Sequence, residues 1–336
     1  MEVPLRWPAV IVPVARGGNP AKTTEMLWQT TNDTAYTIAV LSPTTEASST
    51  QVDSTKVEDL MGQVEHFARR AAHAAAQGKE ALLLAGFDSL APMRLALLGA
   101  NRAHLPVLVA VQAHVGDNPD GETAGGDSLL SCLICAQKLG AAAFGIVWQT
   151  APAETPAWLG VLRAHAHIPL MAMGQEPFSS PQIQALLAMG FQAVSGTEGD
   201  IASLQNITAQ QPAPSLDPAF ADRIILCDSQ NIYYVEEEFA FSEPLQGHMD
   251  MSEPILDAEN EGADVLLFYA EDTEDAEHLC GNFHMARTAV AVQAEDGAAL
   301  EQALLGYHGC AIIDARSDVP EEEQQLLAKG YGAVIR

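Results

Sequence analysis

Cationic side chains are scarce in this chain. Only 16 Lys and Arg stand against 44 Asp and Glu in 336 residues, a formal net charge of −28. A surface this acidic repels phosphate backbones and anionic headgroups, which argues against nucleic-acid and membrane partners. Cysteine is sparse as well: five residues, an odd number without disulfide spacing, point to a reducing cytoplasm. The sequence opens on no charged-then-apolar leader, and no apolar run approaches the roughly 20 residues that cross a bilayer. The glycine-rich stretch VGDNPDGETAGGD at 115–127 holds neither G-x-G-x-x-G nor a lysine, so it is no phosphate cradle. What the chain does have is apolar bulk: 48% hydrophobic and 18% charged residues over 336 positions are enough for two compact α/β units.

From Ala81 to Val194 one unit repeats four times. Short apolar runs, ALLLA at 81–85, LPVLVAV at 105–111, AAAFGIV at 141–147 and IPLMAM at 168–173, alternate with stretches of helical period. Runs without polar alternation are strands buried on both faces of a parallel sheet. A helix from Ser89 to Arg102 carries Leu90, Met93, Leu97 and Leu98 on one side, and another opens at Ser180-Pro181. Regular alternation of this kind means right-handed crossovers, hence a parallel barrel or a doubly wound sheet.

The wording of the stretch adds to its rhythm. LLLAGFDSL at 82–90, LPVLVAV, the loop at 115–127, AAAFGIVW at 141–148, IPLMAMGQEP at 168–177 and FQAVSGTEGDI at 191–201 follow one another, preceded by AVLSPTTE at 39–46. In this order the segments resemble the homocysteine S-methyltransferase family over about residues 37–205. The resemblance implies a TIM-barrel-like α/β domain at 1–209. Only about 37 residues precede the matching part, with one evident strand, AVIVPVA at 9–15, so the expectation is about seven strands or a distorted barrel.

The departures from the family fall on its chemistry. The resemblance implies a zinc ion on three cysteine thiolates, with an open position where the substrate thiol is deprotonated. The matching positions here are Trp148, Val194 and Ser195, none of which offers a soft thiolate. The family's substrate-holding acid becomes Ala85, and its asparagine beside the first cysteine becomes Val147. Trp148 is expected to fill the space that metal and thiol would occupy. A residual pocket at the barrel mouth would draw on Asp88, Asp127 and Gln175.

QQPAPSLDPAF at 210–220 reads as a linker. Beyond it, at 221–336, RIILC (223–227), NIYYVEEEF (231–239), ADVLLFYA (263–270), TAVAVQAE (288–295), CAIIDA (310–315) and GAVI (332–335) form a second βα series. This part resembles, more loosely, the first half of the pterin-binding barrel of cobalamin-dependent methionine synthases, and implies a partial parallel βα barrel. Leu267, Tyr269, Gln293 and Asp314 stand at or beside the family's pterin-contacting positions, mostly with other chemistry.

Three other patterns have plain readings. Cys132 and Cys135 form a C-x-x-C inside an apolar helix, as buried cysteines do. His165 and His167 sit at a helix end, where positive charge suits the dipole. The acids at 236–238 and 271–277 lack calcium-loop spacing and read as solvated faces. Two functions remain open. One is a non-catalytic binding, regulatory or scaffold subunit related to methionine and one-carbon metabolism, without zinc or folate. The other is a methyltransferase-type enzyme acting on a thiol or amino acid through a rebuilt site. Parallel losses in both units favour the first. A small amino-acid or thiol ligand, a protein partner and a homo-oligomer are the expected associations, the last because the final strand near KGYGAVIR offers an edge with little charge.

Overall fold

In the computed structural model, eight strands of the N-terminal part close into a barrel. The structure describes residues 9–13, 25–30, 35–43, 56–114, 121–148, 152, 154–197, 217–220 and 223–336. Of the segments singled out above, 14–15, 44–46, 115–120, 198–201 and most of the expected linker, 210–216, lie outside the described residues. The chain divides into two compact units, Met1–Thr45 with Val64–Asp217, and Glu46–Gln63 with Pro218–Arg336.

The barrel begins as a meander. Strands β1 (Ala9–Pro13), β2 (Glu25–Thr30) and β3 (Ala35–Leu41) pair antiparallel, and β1 also runs parallel to β8 (Ala193–Ser195) to close the ring. Between them the pairing is parallel through β4 (Ala81–Phe87), β5 (Val107–Gln112), β6 (Ala143–Trp148) and β7 (Leu170–Gly174). The expectation of about seven strands is therefore corrected to eight. The missed strand is β2, EMLWQT. A parallel neighbour needs a crossover of a dozen or more residues, whereas an antiparallel one needs only a turn, so three strands fit where strand–helix units would not.

Alternation sorts the barrel's side chains. Ala81, Leu83 and Ala85 of β4, Leu108 and Ala110 of β5, Ala143 and Val147 of β6, Met171 and Met173 of β7 and Ala193 of β8 share one core with Trp28, Tyr36 and Ile38. These positions fall two apart, so they are the inward faces, and the barrel is filled rather than hollow. Gly145 belongs to the same face. A Cβ there would stand 2.9 Å from Met171 Cε and 3.2 Å from Ala110 Cβ, so the missing side chain is the room that Met171 occupies. The outward residues Leu82, Val109, Phe144 and Ile146 are buried as well.

Helix α1 (Val57–Ala76) and α2 (Leu90–Asn101) pack at Gly99, where a Cβ would meet the Val64 carbonyl oxygen at 2.3 Å and the Ala68 nitrogen at 2.9 Å. Among the described residues of this unit, α3 (Leu129–Lys138), α4 (Ala157–His165) and α5 (Ser180–Ala188) follow. Helix α5 opens at Ser180-Pro181, as the sequence suggests. Its N-cap is Ser179, whose backbone N–H and hydroxyl both donate to Gln182 Oε1, at 2.9 and 2.8 Å.

The second unit opens with a correction. RIILC and NIYYVEEEF do not begin a βα series: β9 (Ile224–Cys227) and β10 (Ile232–Val235) form an antiparallel hairpin. Four residues join them, too few for a helix, and Asp228 fixes the turn by accepting the Gln230 and Asn231 N–H groups at 2.6 Å each. Then β11 (Leu245–Gln246), β12 (Val265–Ala270), β13 (Ala289–Ala294), β14 (Ile312–Ile313) and β15 (Val334–Ile335) make a parallel sheet in sequence order. Helices α6 (Ser252–Asn260), α7 (Thr273–Asn282), α8 (Gly297–Gly306) and α9 (Glu321–Tyr331) are the crossovers. Each strand therefore lies beside its neighbour in sequence, without the reversal of order that marks a doubly wound sheet. One face, with Val265, Leu267, Ala289, Ala291 and Ile312, packs on Ile224, Leu226 and Val235 of the hairpin.

Gly99 supplies a test of the helix packing. Gly99→Ala should lower stability by about 1–3 kcal/mol, because backbone and not a flexible side chain stands in the way. Gly62→Ala, on the exposed side of α1 with nothing within 4 Å, should stabilise by about 0.5–1 kcal/mol. Urea unfolding of the two variants beside the parent measures both, and equal effects would refute the close approach.

Candidate functional site

In a parallel barrel the strands' carboxyl ends form the mouth where binding groups collect. Reading the inward face to that end gives Val40, Ala85, Gln112, Val147, Met173 and Ser195, with Met26 entering from the start of antiparallel β2. The described part of this ring carries no ionisable side chain. Ala85 and Val147 are half-buried and pack on the core beneath. Ser195 is buried, and its hydroxyl is already engaged: Oγ accepts the Gly174 N–H at 2.9 Å, while its carbonyl accepts the Phe178 N–H at 3.3 Å.

Trp148 corrects an expectation. It follows Val147, so alternation turns it outward from the barrel, away from the space a metal at the mouth would use. There it is 5% exposed, with its ring 6.1 Å from that of Trp158 on α4 and 5.5 Å, edge to face, from Phe191. Val194 likewise faces outward, fully buried. The matched positions therefore supply one hydroxyl bound to backbone and two apolar side chains. A zinc site of the family's kind does not fit them. The chain's cysteines, Cys132, Cys135, Cys227, Cys280 and Cys310, are buried thiols. Burial, with Asp127 nearby, pushes the Cys132 thiol far above the ordinary thiol range, as befits an inert core residue.

Asp88 and Asp127 are brought together, by structural bonds. Asp127 Oδ2 accepts the Leu90 N–H at 2.6 Å and so caps α2 from a distant loop. Its own N–H donates to Thr123 Oγ1 at 3.0 Å. The Gly125 N–H donates to the Asp88 carbonyl at 2.7 Å, and a Cβ on Gly125 would lie 2.6 Å from that oxygen. The close approach requires glycine. Asp88 itself is exposed and accepts the Ser89 hydroxyl at 3.1 Å. Gln175 follows β7 with its side chain exposed and its N–H on the Trp148 carbonyl at 3.1 Å.

The histidine pair does not converge either. His165 is buried with Nδ1 2.8 Å from the Val161 carbonyl of its own helix, while burial and Lys138 lower the His167 pKa. Among the described residues no group of three His, Cys, Asp or Glu is placed to hold a metal ion. Within the acid runs, Glu236 pairs with Arg223 at 3.3 Å, and Asp272 caps α7 through the Glu274 and Asp275 N–H groups.

In the second unit the strand register aligns positions far apart in sequence. Gln246, Tyr269 and Gln293 are direct partners across β11, β12 and β13, and one step past the paired residues of β14 and β15 come Asp314 and Arg336. The row lies at the carboxyl edge. Leu267 is not part of it; it is buried in the core one level below. Tyr269 donates to Glu295, and that bond pushes its phenol up to about 12. Asp314, 1% exposed, is clasped by Arg316 through Nε at 2.9 Å and Nη2 at 2.6 Å to Oδ2, and Arg316 in turn lies 5.5 Å over the Phe241 ring. Gln246 and Arg336 escape sequence reasoning because only the register brings them to this edge, while Arg316 reaches it through Asp314, two residues before it.

Comparison with known proteins finds no matching family model and no matching curated protein.

The packing of Trp148 makes a prediction. Trp148→Ala should cost about 3–5 kcal/mol, as removal of a buried indole does. Trp158→Ala should add less than its single effect in the double variant, because the rings share a contact. Thermal unfolding of the three variants reports both numbers, and a loss under about 1 kcal/mol for Trp148→Ala would sink the buried assignment.

Proposed function

We propose that this protein is a non-catalytic binding or scaffold subunit built on the homocysteine S-methyltransferase fold, acting beside methionine and one-carbon metabolism without zinc or folate bound in the family's manner. The observation that carries the reading is the neutral barrel mouth, where Ala85, Val147 and Ser195 stand at family-site positions and the one hydroxyl among them is committed to Gly174. Thiol activation needs a cation or a base beside the sulfur, and the described ring offers neither. The carboxyl edge of the second unit supports the same reading, because Tyr269 is bonded to Glu295 and Asp314 to Arg316. Its ligand, on this reading, is a small amino acid or thiol or a protein partner.

The deciding measurement is made on full-length protein purified without chelator. We expect less than about 0.1 zinc per chain after dialysis, against one for a structural or catalytic site. We also expect no methyl transfer to homocysteine from methyltetrahydrofolate, free methylcobalamin or S-methyl donors. One tightly held zinc, or turnover with any of these pairs, would overturn the reading in favour of a rebuilt enzyme.

The proposal extends to self-association. Among the described residues strand β15 has a single sheet neighbour, β14, and Val334 and Ile335 along it are only half-buried. An apolar sheet edge is normally paired or covered. Sedimentation equilibrium of the full chain should give a dimer or larger species, and a monomer at micromolar concentration would refute it.

A further inference from the structure

A groove of ≈ 310 Å³ lies at the opposite, amino-terminal edge of the parallel sheet in the second unit, between β10 and the starts of β12 and β13. That volume is at the lower end of small-molecule sites, roughly 300–1,000 Å³. Its charges are three carboxylates, Glu236, Glu238 and Asp264, against one guanidinium, Arg287. Two of the carboxylates have internal partners: Glu236 has Arg223 at 3.3 Å, and Asp264 Oδ2 accepts the Ala240 N–H at 2.9 Å. Glu238 and the guanidinium of Arg287 make no ion pair, with each other or with any described residue. Only the backbone N–H of Arg287 is engaged, by Glu259 at 2.6 Å. Beside it the hydroxyl oxygen of Thr288 is buried without a hydrogen-bond partner. A buried hydroxyl without a partner is destabilising, and a bound acceptor would satisfy it.

The walls narrow the choice of ligand. Tyr234, held by stacking on Phe220 at 5.4 Å, and Phe239, set edge to face on Phe241 at 4.9 Å, are fixed aromatic surfaces. Such surfaces accept an aliphatic stem and attract a cation. A polyanion is repelled by the excess of carboxylates, and a plain carboxylate gains only Arg287. A molecule with one carboxylate, two cationic groups and a flexible alkyl stem complements the whole lining.

We propose that this groove binds a basic α-amino acid of the lysine or arginine class. The carboxylate takes Arg287 and the Thr288 hydroxyl, the stem lies on Tyr234 and Phe239, and the cationic groups face Glu238 and Asp264. The inference concerns the amino edge of the second unit and stands whether or not the barrel is catalytic.

Isothermal titration of the full-length protein with L-lysine and L-arginine tests it, with cadaverine and L-glutamate as comparison ligands. Saturable binding of a basic amino acid is expected, with cadaverine, which lacks the carboxylate, about tenfold weaker or more. Arg287→Gln should weaken the amino acid about tenfold and leave cadaverine unchanged, whereas Glu238→Gln should weaken both. Both side chains are exposed, so the variants should fold, and circular dichroism checks it. Absence of saturable binding up to roughly 10 mM ligand overturns the proposal, as does glutamate binding as well as lysine, or parent-like affinity in both folded variants.

Discussion

The first unit depends on the closure made by β1. Ala9, Val10 and Ile11 pair in parallel with Ala193, Val194 and Ser195 on one side, while the whole strand pairs antiparallel with β2 on the other. A sheet that closes has no exposed edge, and its interior must be filled by the side chains of every strand. Three registered pairs on β8 are a small contact, yet without them the sheet would open along β1 and β8. The filling explains why so short a strand suffices. Trp28, Tyr36 and Ile38 of the antiparallel pair bring bulk to an interior that Ala81, Ala110, Ala143, Gly145 and Ala193 leave spacious. Small residues on the parallel strands and large ones on the meander are complementary parts of one packed core.

Much of this was legible in the sequence, and what was not has physical causes. Strands β4 to β7 announced themselves because burial on both faces demands uninterrupted apolar runs. Strand β2 hid because EMLWQT carries polar residues between apolar ones, in a segment too short for strand–helix units, and it faces a partner that sequence spacing does not name. Hairpin β9–β10 departs from the expected βα series for the opposite reason: its strands have the right composition, but direction is set by the four-residue turn at Asp228 and not by the runs. Ala85, Val147 and Ser195 were singled out by resemblance and Asp127 by its loop at the expected mouth, and which way each one faces was not legible. Orientation has a period of two along a strand, so a likeness displaced by one residue exchanges inside for outside. Trp148, one residue past inward-facing Val147, accordingly lies in the outer layer beside Trp158 and Phe191.

Asp127 shows how a polar residue near a barrel mouth can belong to the fold. Its carboxylate caps α2 at Leu90 and its amide is held by Thr123, while Gly125 closes on Asp88. Charge that stabilises a helix start by accepting its N–H groups is no longer available for a substrate without loosening that helix. The same logic applies to the carboxyl edge of the second sheet. Register assembles Gln246, Tyr269, Gln293, Asp314 and Arg336 there, a row whose placement suits a binding shelf, but Asp314 is clasped by Arg316 and Tyr269 is tied to Glu295. Bonds already made inside the protein are a cost to any ligand that would replace them.

The two edges of that sheet differ in what folding has left unfinished. At the carboxyl edge the buried carboxylate of Asp314 could not remain alone, since an unpaired charge removed from water costs several kcal/mol, and the guanidinium two residues on removes that cost. At the amino edge Glu238 and Arg287 are exposed, so water meets their needs and the fold gains nothing by pairing them. Folding stability therefore selects for satisfied charges where the sheet is buried and is indifferent where it is open. Charges left unpaired around a concave aromatic surface are free to be satisfied by something else, and a ligand desolvating them together would meet groups that no internal bond holds back.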